Sequence, residues 1–265
     1  MRKTIDCFIY NGEEQILDLR FRELNSAVDE FWIIESPFTF TGIPKNLKFE
    51  KQASSRNWPT AKIKYFIYAS TPTLGDPWTN EFNQRNLMGS FTETCAPSDL
   101  LLYSDVDEIP KSEAIQRAKS DSKIDRFGFE MSTFYLKLNY KLIEPAVIAS
   151  SVCTVGFSKR DLELHTVNQL RTGIRDRTLA AEIYKTSGWH FSYMMTEEHI
   201  EEKIKAFSHQ EFNKPEILNK ISIKKILENK EDLLSRDGFK FDFCSLDELP
   251  KTVRENTFEY RNLLH

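Results

Sequence analysis

Three acidic side chains directly follow an apolar run in the stretch LLLYSDVDEIP, residues 100–110. Asp105 and Asp107 are two positions apart, so in extended chain their carboxylates can point to the same side. Two anions held this close repel each other unless a cation or a ligand donor lies between them. Oxygen ligands suit a hard ion such as Mg²⁺ or Mn²⁺, which also binds phosphate oxygens. The pair therefore predicts a metal site that holds a diphosphate, whereas Glu108 is typical of an acid at a helix N-terminus ahead of Pro110.

Arg85 and His190 are candidates to complete such a site. Arg85 shares a predicted helical stripe with Trp78 and Phe82, and an arginine on an apolar stripe needs an anionic partner. A diphosphate would serve, and so would a structural carboxylate. In the stretch SGWHFSYM an extended chain places His190 on the polar face, where a third metal ligand, a phosphate contact and a structural residue are all compatible with it.

The run RTGIRDR, residues 171–177, is polar and rich in arginine. It predicts a loop. Its arginines Arg171, Arg175 and Arg177 are either solvated or available as donors to phosphate oxygens.

The elements that must position these residues alternate between strands and helices. Apolar runs and helical periodicity predict strands at residues 4–10, 31–34, 63–68 and 100–103, with helices beginning at about 13, 77 and 111. Strands that are apolar on both faces and alternate with helices indicate a mostly parallel sheet covered on both sides. Residues 127–157 indicate a mixed or antiparallel extension, and the chain from residue 196 onward is expected to be helical.

Composition excludes several classes of protein. A net charge of −4 over 265 residues argues against a nucleic-acid binder that works by bulk positive charge. The four cysteines are dispersed and form no CxxC pair, so a zinc knuckle or redox dithiol is not expected. No apolar stretch approaches the roughly 20 residues of a membrane span. The first predicted strand leaves no room for a signal peptide, so a cytoplasmic location is expected.

Several ordered motifs give the sequence a specific resemblance. NGEEQILDLRFREL follows the first predicted strand, VDEFWIIESPFTFTG and SDVDEIP come next, and GWHFSYMMTEEHIEEKI and LPKTVRENTFEYRNLL lie towards the end. Together they resemble the family 17 glycosyltransferases, over nearly the whole chain.

The resemblance implies a fold and a reaction. The fold is α/β of GT-A type: a Rossmann-like, mostly parallel mixed sheet flanked by helices, with a helical C-terminal segment. It forms a single domain, in which residues 1–110 bind the nucleotide, residues 111–195 bind the acceptor and residues 196–265 are helical. The reaction is inverting transfer of a sugar from a UDP-sugar, with UDP-N-acetylglucosamine as the first choice, to a glycan or glycoconjugate hydroxyl. The cofactor is Mn²⁺ or Mg²⁺.

The resemblance also implies residue roles. By position it assigns Asp105 and Asp107 to the metal and nucleotide, Glu13 and Glu35 to the nucleoside, Arg85 to the diphosphate, and His190 and Lys203 to the metal or phosphates. His209, in the stretch KIKAFSHQE, is a further candidate for contact with the donor.

The base that accepts the acceptor's proton has two candidates. Glu130 lies in a predicted strand of the acceptor half, and Glu211 follows His209. Glu197 and Glu198 are explained by a position at a helix N-terminus after Thr196. Of the two remaining candidates, we expect Glu130 slightly ahead of Glu211.

Two other functions remain open on the sequence. A phosphatase of the haloacid-dehalogenase type also places an Asp-x-Asp pair after a strand, although its pair usually stands near the start of the chain. A non-catalytic carbohydrate-binding protein on a transferase fold is the second alternative, and the intact acidic pair argues against it. Without the membrane anchor and stem of the animal family members, a bacterial or viral enzyme is expected.

Overall fold

The computed structural model describes residues 2–121 and 123–265. The strands are β1 (Thr4–Tyr10), β2 (Glu30–Glu35), β3 (Ile63–Ile67), β4 (Leu100–Asp105), β5 (Glu108–Pro110), β6 (Arg126–Tyr135), β7 (Tyr140–Glu144), β8 (Ser150–Ser158), β9 (Glu182–Tyr184), β10 (Gly188–Ser192) and β11 (Lys240–Phe243). The helices are α1 (Glu14–Leu24), α2 (Phe49–Ala53), α3 (Pro77–Ser90), α4 (Ser112–Ser120), α5 (Ala146–Ala149), α6 (Val167–Arg175), α7 (Glu197–Ala206), α8 (Pro215–Leu218), α9 (Ile223–Asn229) and α10 (Lys251–Glu255). Within the described ranges, no helix combines the length and apolar character needed to cross a membrane.

All the strands belong to one mixed sheet. The order along its main path is β11-β7-β6-β8-β4-β1-β2-β3, with β9 and β10 paired to β6, and β5 paired to β10. Strands β4, β1, β2 and β3 are mutually parallel, and β8 runs antiparallel to both β4 and β6. Strand β6 therefore runs in the same direction as β4, and so does β10, which is parallel to β6. The expected α/β class, with a parallel half and a mixed extension, is confirmed.

The alternation of side chains in β2 explains why the sheet is covered on both faces. Phe31 and Ile33 lie in one apolar cluster with α1, whereas Trp32 and Ile34 lie in the cluster on the opposite face. All four side chains are essentially inaccessible to solvent. Because a strand buried on both faces has no polar side, its sequence reads as a continuous apolar run.

The second face of the sheet is covered partly by α6, so the prediction of a loop at residues 171–177 is wrong for residues 171–175. The helix runs through Arg175, and its N-terminus has a capping box in which Thr166 and Gln169 bond reciprocally. Leu170 and Ile174 pack into the core of this face. The apolar residues of α6 begin at Val167, before the arginine-rich run. The helical spacing is therefore not recognisable from residues 171–177 alone.

The C-terminal region is helical only in part. Helix α7 packs Ile200 and Ile204 into a third apolar cluster, and short helices follow it. Strand β11 then pairs antiparallel with β7 and extends the sheet. The expected helical segment is thus modest, and this region also completes one edge of the sheet.

Candidate active site

Several strands end at the same edge of the sheet. Since β1, β2, β4, β6 and β10 run in one direction, their carboxyl ends meet there, as in other open α/β sheets that bind ligands at this edge. A cavity of about 780 Å³ lies over these ends. Its wall includes residues at or just beyond the five strand ends, namely Asn11, Ser36, Val106, Tyr135 and Tyr193.

Asp105, the last residue of β4, faces this cavity between two arginines. Its Oδ2 lies 2.9 Å from Nη2 of Arg171, and its Oδ1 lies 3.5 Å from Nη2 of Arg85. The side chain keeps 41% of its surface exposed. Enclosure by protein opposes ionisation, but the guanidinium of Arg171, followed by that of Arg85, lowers the pKa of this carboxyl below its ordinary value.

Glu108 does not stand at a helix N-terminus, so the expectation for this residue is wrong. It begins strand β5, whereas α4 starts at Ser112. Its carboxylate is buried and accepts two hydrogen bonds of 3.0 Å from Arg171. It also accepts a bond of 2.9 Å from the backbone amide of Asp105. Glu108 therefore ties the turn between β4 and β5 to α6.

Asp107 lies in the same turn and faces two basic side chains. Its Oδ2 lies 3.4 Å from Nζ of Lys203, and its Oδ1 lies 3.8 Å from Nε2 of His190. Nζ of Lys203 also lies 3.8 Å from Oε1 of Glu13. Burial opposes the charge on Lys203, but Asp107 and then Glu13 raise the pKa of this amine.

His190 lies between Asp107 and a thiol. Its Nδ1 is 3.9 Å from Sγ of Cys153, on the side of the ring away from Asp107. Burial lowers the pKa of His190, but Cys153, followed by Asp107 and Glu108, favours the charged ring and raises its pKa to about 9.

The repulsion between the two aspartates is therefore offset by the protein itself. Arg171 and Arg85 neutralise Asp105, and Lys203 neutralises Asp107. These partners lie far from residues 105–107 in the chain, so from the sequence a metal or a ligand was expected in their place.

The donor atoms around His190 allow a test of metal fit. Glu108, Cys153 and His190 bring ligand atoms within 4.8 Å of one another. Glu108 already accepts three hydrogen bonds, from Arg171 and a backbone amide, and a thiol is a soft ligand, so this trio suits a hard cation poorly. Oδ1 of Asp107 and Nε2 of His190 fit better. They lie 3.8 Å apart at the cavity wall, and two ligands of one such ion lie within about 4.2 Å of each other.

Two predicted site residues lie outside the described cavity wall. Glu35 is fully buried, and its carboxylate accepts hydrogen bonds from the amides of Lys48 (2.7 Å) and Phe49 (3.1 Å) and from the hydroxyl of Tyr65 (2.8 Å). These hydrogen bonds indicate a structural role, in which Glu35 joins the end of β2 to the start of α2 and to β3. Glu130 points elsewhere on β6, where its carboxylate accepts a bond of 3.1 Å from Ser150.

His209 and Glu211 do line the cavity, on its outer rim. Nδ1 of His209 and Oε1 of Glu211 lie 2.7 Å apart, and the ring of His209 packs edge-on against Trp78. Glu211 is 55% exposed. Of the arginines considered with Arg171, Arg175 is a wall residue, whereas Arg177 is not among the wall residues of the described chain.

The cavity wall also has an aromatic and basic part, whose Tyr193, Arg236 and Phe239 were not expected from the sequence. Tyr135 and Tyr193 pack edge to face, and the guanidinium of Arg236 lies over the rings of Tyr135 and Phe239. Arg236 is held by a bidentate ion pair with Asp232. The i, i+4 spacing of Asp232 and Arg236 was visible in the sequence, but its proximity to the acidic turn was not.

A second cavity of about 900 Å³ adjoins the first. Its wall includes Leu136, Met194 and the start of α1. Glu13 and Lys203 belong to the walls of both cavities, so their contact lies at the boundary between them.

The solved structures that resemble this chain include distant ones. A 4-diphosphocytidyl-2C-methyl-D-erythritol synthase superposes with a TM-score of 0.43 and 14% identity, covering 71% of this chain and 90% of that one. The galactosyltransferase LgtC in complex with donor and acceptor sugar analogs gives a TM-score of 0.36 and 9% identity over 72% of each chain.

Comparison with sequences is more informative. The chain is 27% identical over 238 residues to a β-1,4-mannosyl-glycoprotein 4-β-N-acetylglucosaminyltransferase of Homo sapiens, and 26% identical to the Rattus norvegicus protein of the same name. Each alignment covers 80% of this chain, which spans 44% of the length of these relatives. The sequence model of glycosyltransferase family 17 matches residues 1–255. The expected family is thereby confirmed: this chain belongs to glycosyltransferase family 17.

Proposed function

We propose that this chain transfers a sugar from a nucleotide-sugar donor to a hydroxyl group of a glycan or glycoconjugate, with inversion at the anomeric carbon. UDP-N-acetylglucosamine is the first-choice donor, because the relatives' names specify N-acetylglucosaminyl transfer. The observation that carries the proposal is the cavity at the carboxyl edge of the sheet, where Asp105 and Asp107 lie among cationic side chains in a chain of this family.

Cationic side chains on the cavity wall support binding of a diphosphate. Arg175 and Lys203 line the cavity, and so does Arg85, which is already paired with Glu81 and Asp105. Guanidinium and ammonium groups make strong charge-assisted hydrogen bonds to phosphate oxygens. Arg171 is 2% exposed and already bound to two carboxylates, so its contribution is to hold the acids. Neutralising the charge that develops on a leaving diphosphate is the largest electrostatic task of this reaction.

Asp107 and His190 are the residues that would hold Mn²⁺ or Mg²⁺, with Asp105 close by. When bound, such an ion supplies Lewis-acid stabilisation of the departing diphosphate. Only the neutral form of His190 could hold such an ion, whereas Cys153 and Asp107 raise the pKa of this ring.

Glu211 is the candidate base on geometric grounds. In the displacement, the acceptor oxygen forms a bond to the anomeric carbon while the bond from that carbon to the diphosphate oxygen breaks. The acceptor's proton passes to a carboxylate, and Glu211 is an exposed carboxylate on the cavity rim. The wall residues then act mainly by positioning the two sugars for in-line attack.

A thermal-shift experiment tests the proposal. The melting temperature is measured with UDP-sugars and other nucleotide sugars, with and without Mn²⁺, for the wild-type chain, Asp107→Asn and the control Asp247→Asn. Asp247 is exposed and outside both cavities. We expect metal-dependent stabilisation by UDP-sugars that Asp107→Asn abolishes and the control retains.

Two results would count against the proposal. Equal stabilisation of Asp107→Asn and wild type would remove the acidic turn from the donor site. Release of inorganic phosphate from phosphomonoesters, without formation of UDP from UDP-sugars, would favour the phosphatase alternative.

A further inference from the structure

A buried arginine on α1 holds the backbone of the acidic turn. Arg20 has no exposed surface, and its Nη1 donates to three carbonyl oxygens of the turn. They belong to Asp105 at 3.1 Å, Val106 at 3.1 Å and Glu108 at 2.8 Å. The carbonyls at both ends of the turn therefore share one donor, Nη1 of Arg20.

The other side of the same guanidinium is fixed to the sheet. Nε and Nη2 form a bidentate pair with the buried carboxylate of Asp6 on β1, at 2.8 and 2.6 Å. Nη2 also donates to the hydroxyl of Ser104 at 2.5 Å. The ring of Phe8 lies under the guanidinium, 4.6 Å from its carbon. The planar group therefore cannot rotate away from the turn without breaking contacts to two strands.

Strand β10 holds the turn from a second direction. The carbonyl of Asp107, the residue that Arg20 does not contact, accepts a hydrogen bond of 2.8 Å from the amide of Phe191. Fixing these four carbonyls fixes the peptide planes on either side of Asp107. Its carboxylate is then directed towards Lys203 and His190.

We propose that Arg20 is a positioning residue for the donor site: it holds residues 105–108 in the conformation that presents both aspartates to the cavity. The consequence for ligand binding rests on the proposed function, whereas the effect on the turn does not. A lysine could keep a cation beside Asp6, but one ammonium cannot replace a planar fork that serves a carboxylate and three carbonyls. The carbonyls of Asp105 and Val106 lose this donor, whereas that of Glu108 keeps a hydrogen bond of 3.1 Å from the hydroxyl of Thr154. The first part of the turn must therefore open to water to replace the lost bonds.

Hydrogen–deuterium exchange tests the structural step. Arg20→Lys is compared with wild type and with Arg126→Lys, because Arg126 donates at 2.7 Å to Asp161 and lies outside the cavity wall. We expect exchange in residues 104–109 and at the amide of Phe191 to rise about tenfold in Arg20→Lys, and to stay within about twofold in the control. Unchanged exchange in Arg20→Lys overturns the proposal.

Two further measurements cover the case in which Arg20→Lys does not fold. The double variant Asp6→Asn/Arg20→Met removes both charges together, so no buried charge is left unpaired, and it must show the same local increase. In the wild-type chain, the amides of Asp105 and Phe191 must exchange as slowly as those of the preceding residues of β4, 100–104. Fast exchange at these two amides would contradict the proposal without any variant.

Ligand binding separates this inference from the proposed function. With UDP and Mn²⁺, we expect about tenfold weaker binding to Arg20→Lys than to wild type and to Arg126→Lys, by calorimetry at equal folded fraction. Wild-type binding to a folded Arg20→Lys would overturn the role in the donor site. Failure of the wild-type chain to bind any nucleotide sugar would instead contradict the proposed function, and the exchange experiment would still decide the role of Arg20 in the turn.

Discussion

Arg171 and Glu108 are 63 positions apart in the chain and form a buried ion pair, with Nη1 and Nη2 each 3.0 Å from a carboxylate oxygen. Both side chains are 2% exposed. The same Nη2 lies 2.9 Å from Asp105, so one arginine on α6 links two acids of the turn. Helix α6 thus acts on the site through the turn, although it follows the turn by dozens of residues.

Replacing Arg171 should destabilise the fold strongly. Arg171→Met leaves Glu108 as a buried charge without its cation, which costs about 3–5 kcal/mol. Urea denaturation followed by circular dichroism measures the free energy of unfolding. The matched control is Arg177→Met, an exposed position just beyond the same helix, which should change stability by less than about 0.5 kcal/mol. Similar losses in the two variants would contradict the assigned pairing.

Lys203 should contribute to donor affinity. Lys203→Met removes the ammonium that lies near both Asp107 and Glu13, so like charges are left at the cavity wall. We expect about tenfold weaker binding of UDP-sugars by calorimetry. Lys205→Met, on the same helix but paired with Glu201 at the surface, should bind as wild type does. Full affinity in Lys203→Met would show that the diphosphate lies elsewhere.

The two candidate bases differ in position, because Glu211 lines the cavity and Glu130 does not. Glu211→Gln should lower kcat by about 10²–10⁴-fold with little change in KM, as expected for loss of a proton acceptor. Glu130→Gln should leave kcat unchanged, because that side chain bonds to Ser150 outside the described cavity wall. A UDP-release assay with an active acceptor measures both. Loss of turnover in Glu130→Gln alone would reverse the assignment.

Gly188 should tolerate no side chain. A Cβ added there would lie 2.6 Å from the carbonyl oxygen of Ile109, which is backbone and cannot move without separating β10 from β5. We expect Gly188→Ala to lower the free energy of unfolding by about 1–3 kcal/mol in urea denaturation. Gly89→Ala is the control: its Cβ meets only a methyl group of Val167 at 3.9 Å among the described neighbours, and helical alanine is favourable. A neutral Gly188→Ala would mean that β10 and β5 are less closely packed.

Elements whose signal is local were predicted well from the sequence. The first strand was expected at residues 4–10 and is found there, and the helix expected from residue 77 begins at Pro77, with Asp76 as its cap. Both depend on neighbouring residues, namely an unbroken apolar run in one case and an Asp-Pro start in the other.

Contacts between distant segments could not be predicted in the same way. Arg20 lies on the buried face of α1 near Leu17 and Leu24. It is therefore an arginine on an apolar helical stripe, the same pattern that drew attention to Arg85. Its partners in β1 and in the acidic turn become adjacent only when the parallel strands pair. The same holds for Arg171, whose helix was mistaken for a loop. The candidate site was therefore located by its acids and by Arg85, His190 and Lys203, whereas the contacts of Arg20 and Arg171 with the acidic turn emerged from the fold.

The pairing of Asp105 with Arg171 and Arg85 bears on how a charged molecule would be captured. Both oxygens of the Asp105 carboxylate already have an arginine partner. A charged ligand that binds here therefore replaces existing ion pairs with new ones. The net free energy of binding is the difference between the new ion pairs and those that are lost. It is smaller than the attraction of a cation to an isolated carboxylate. Selectivity then depends on how well the ligand reproduces the geometry of the contacts that it displaces.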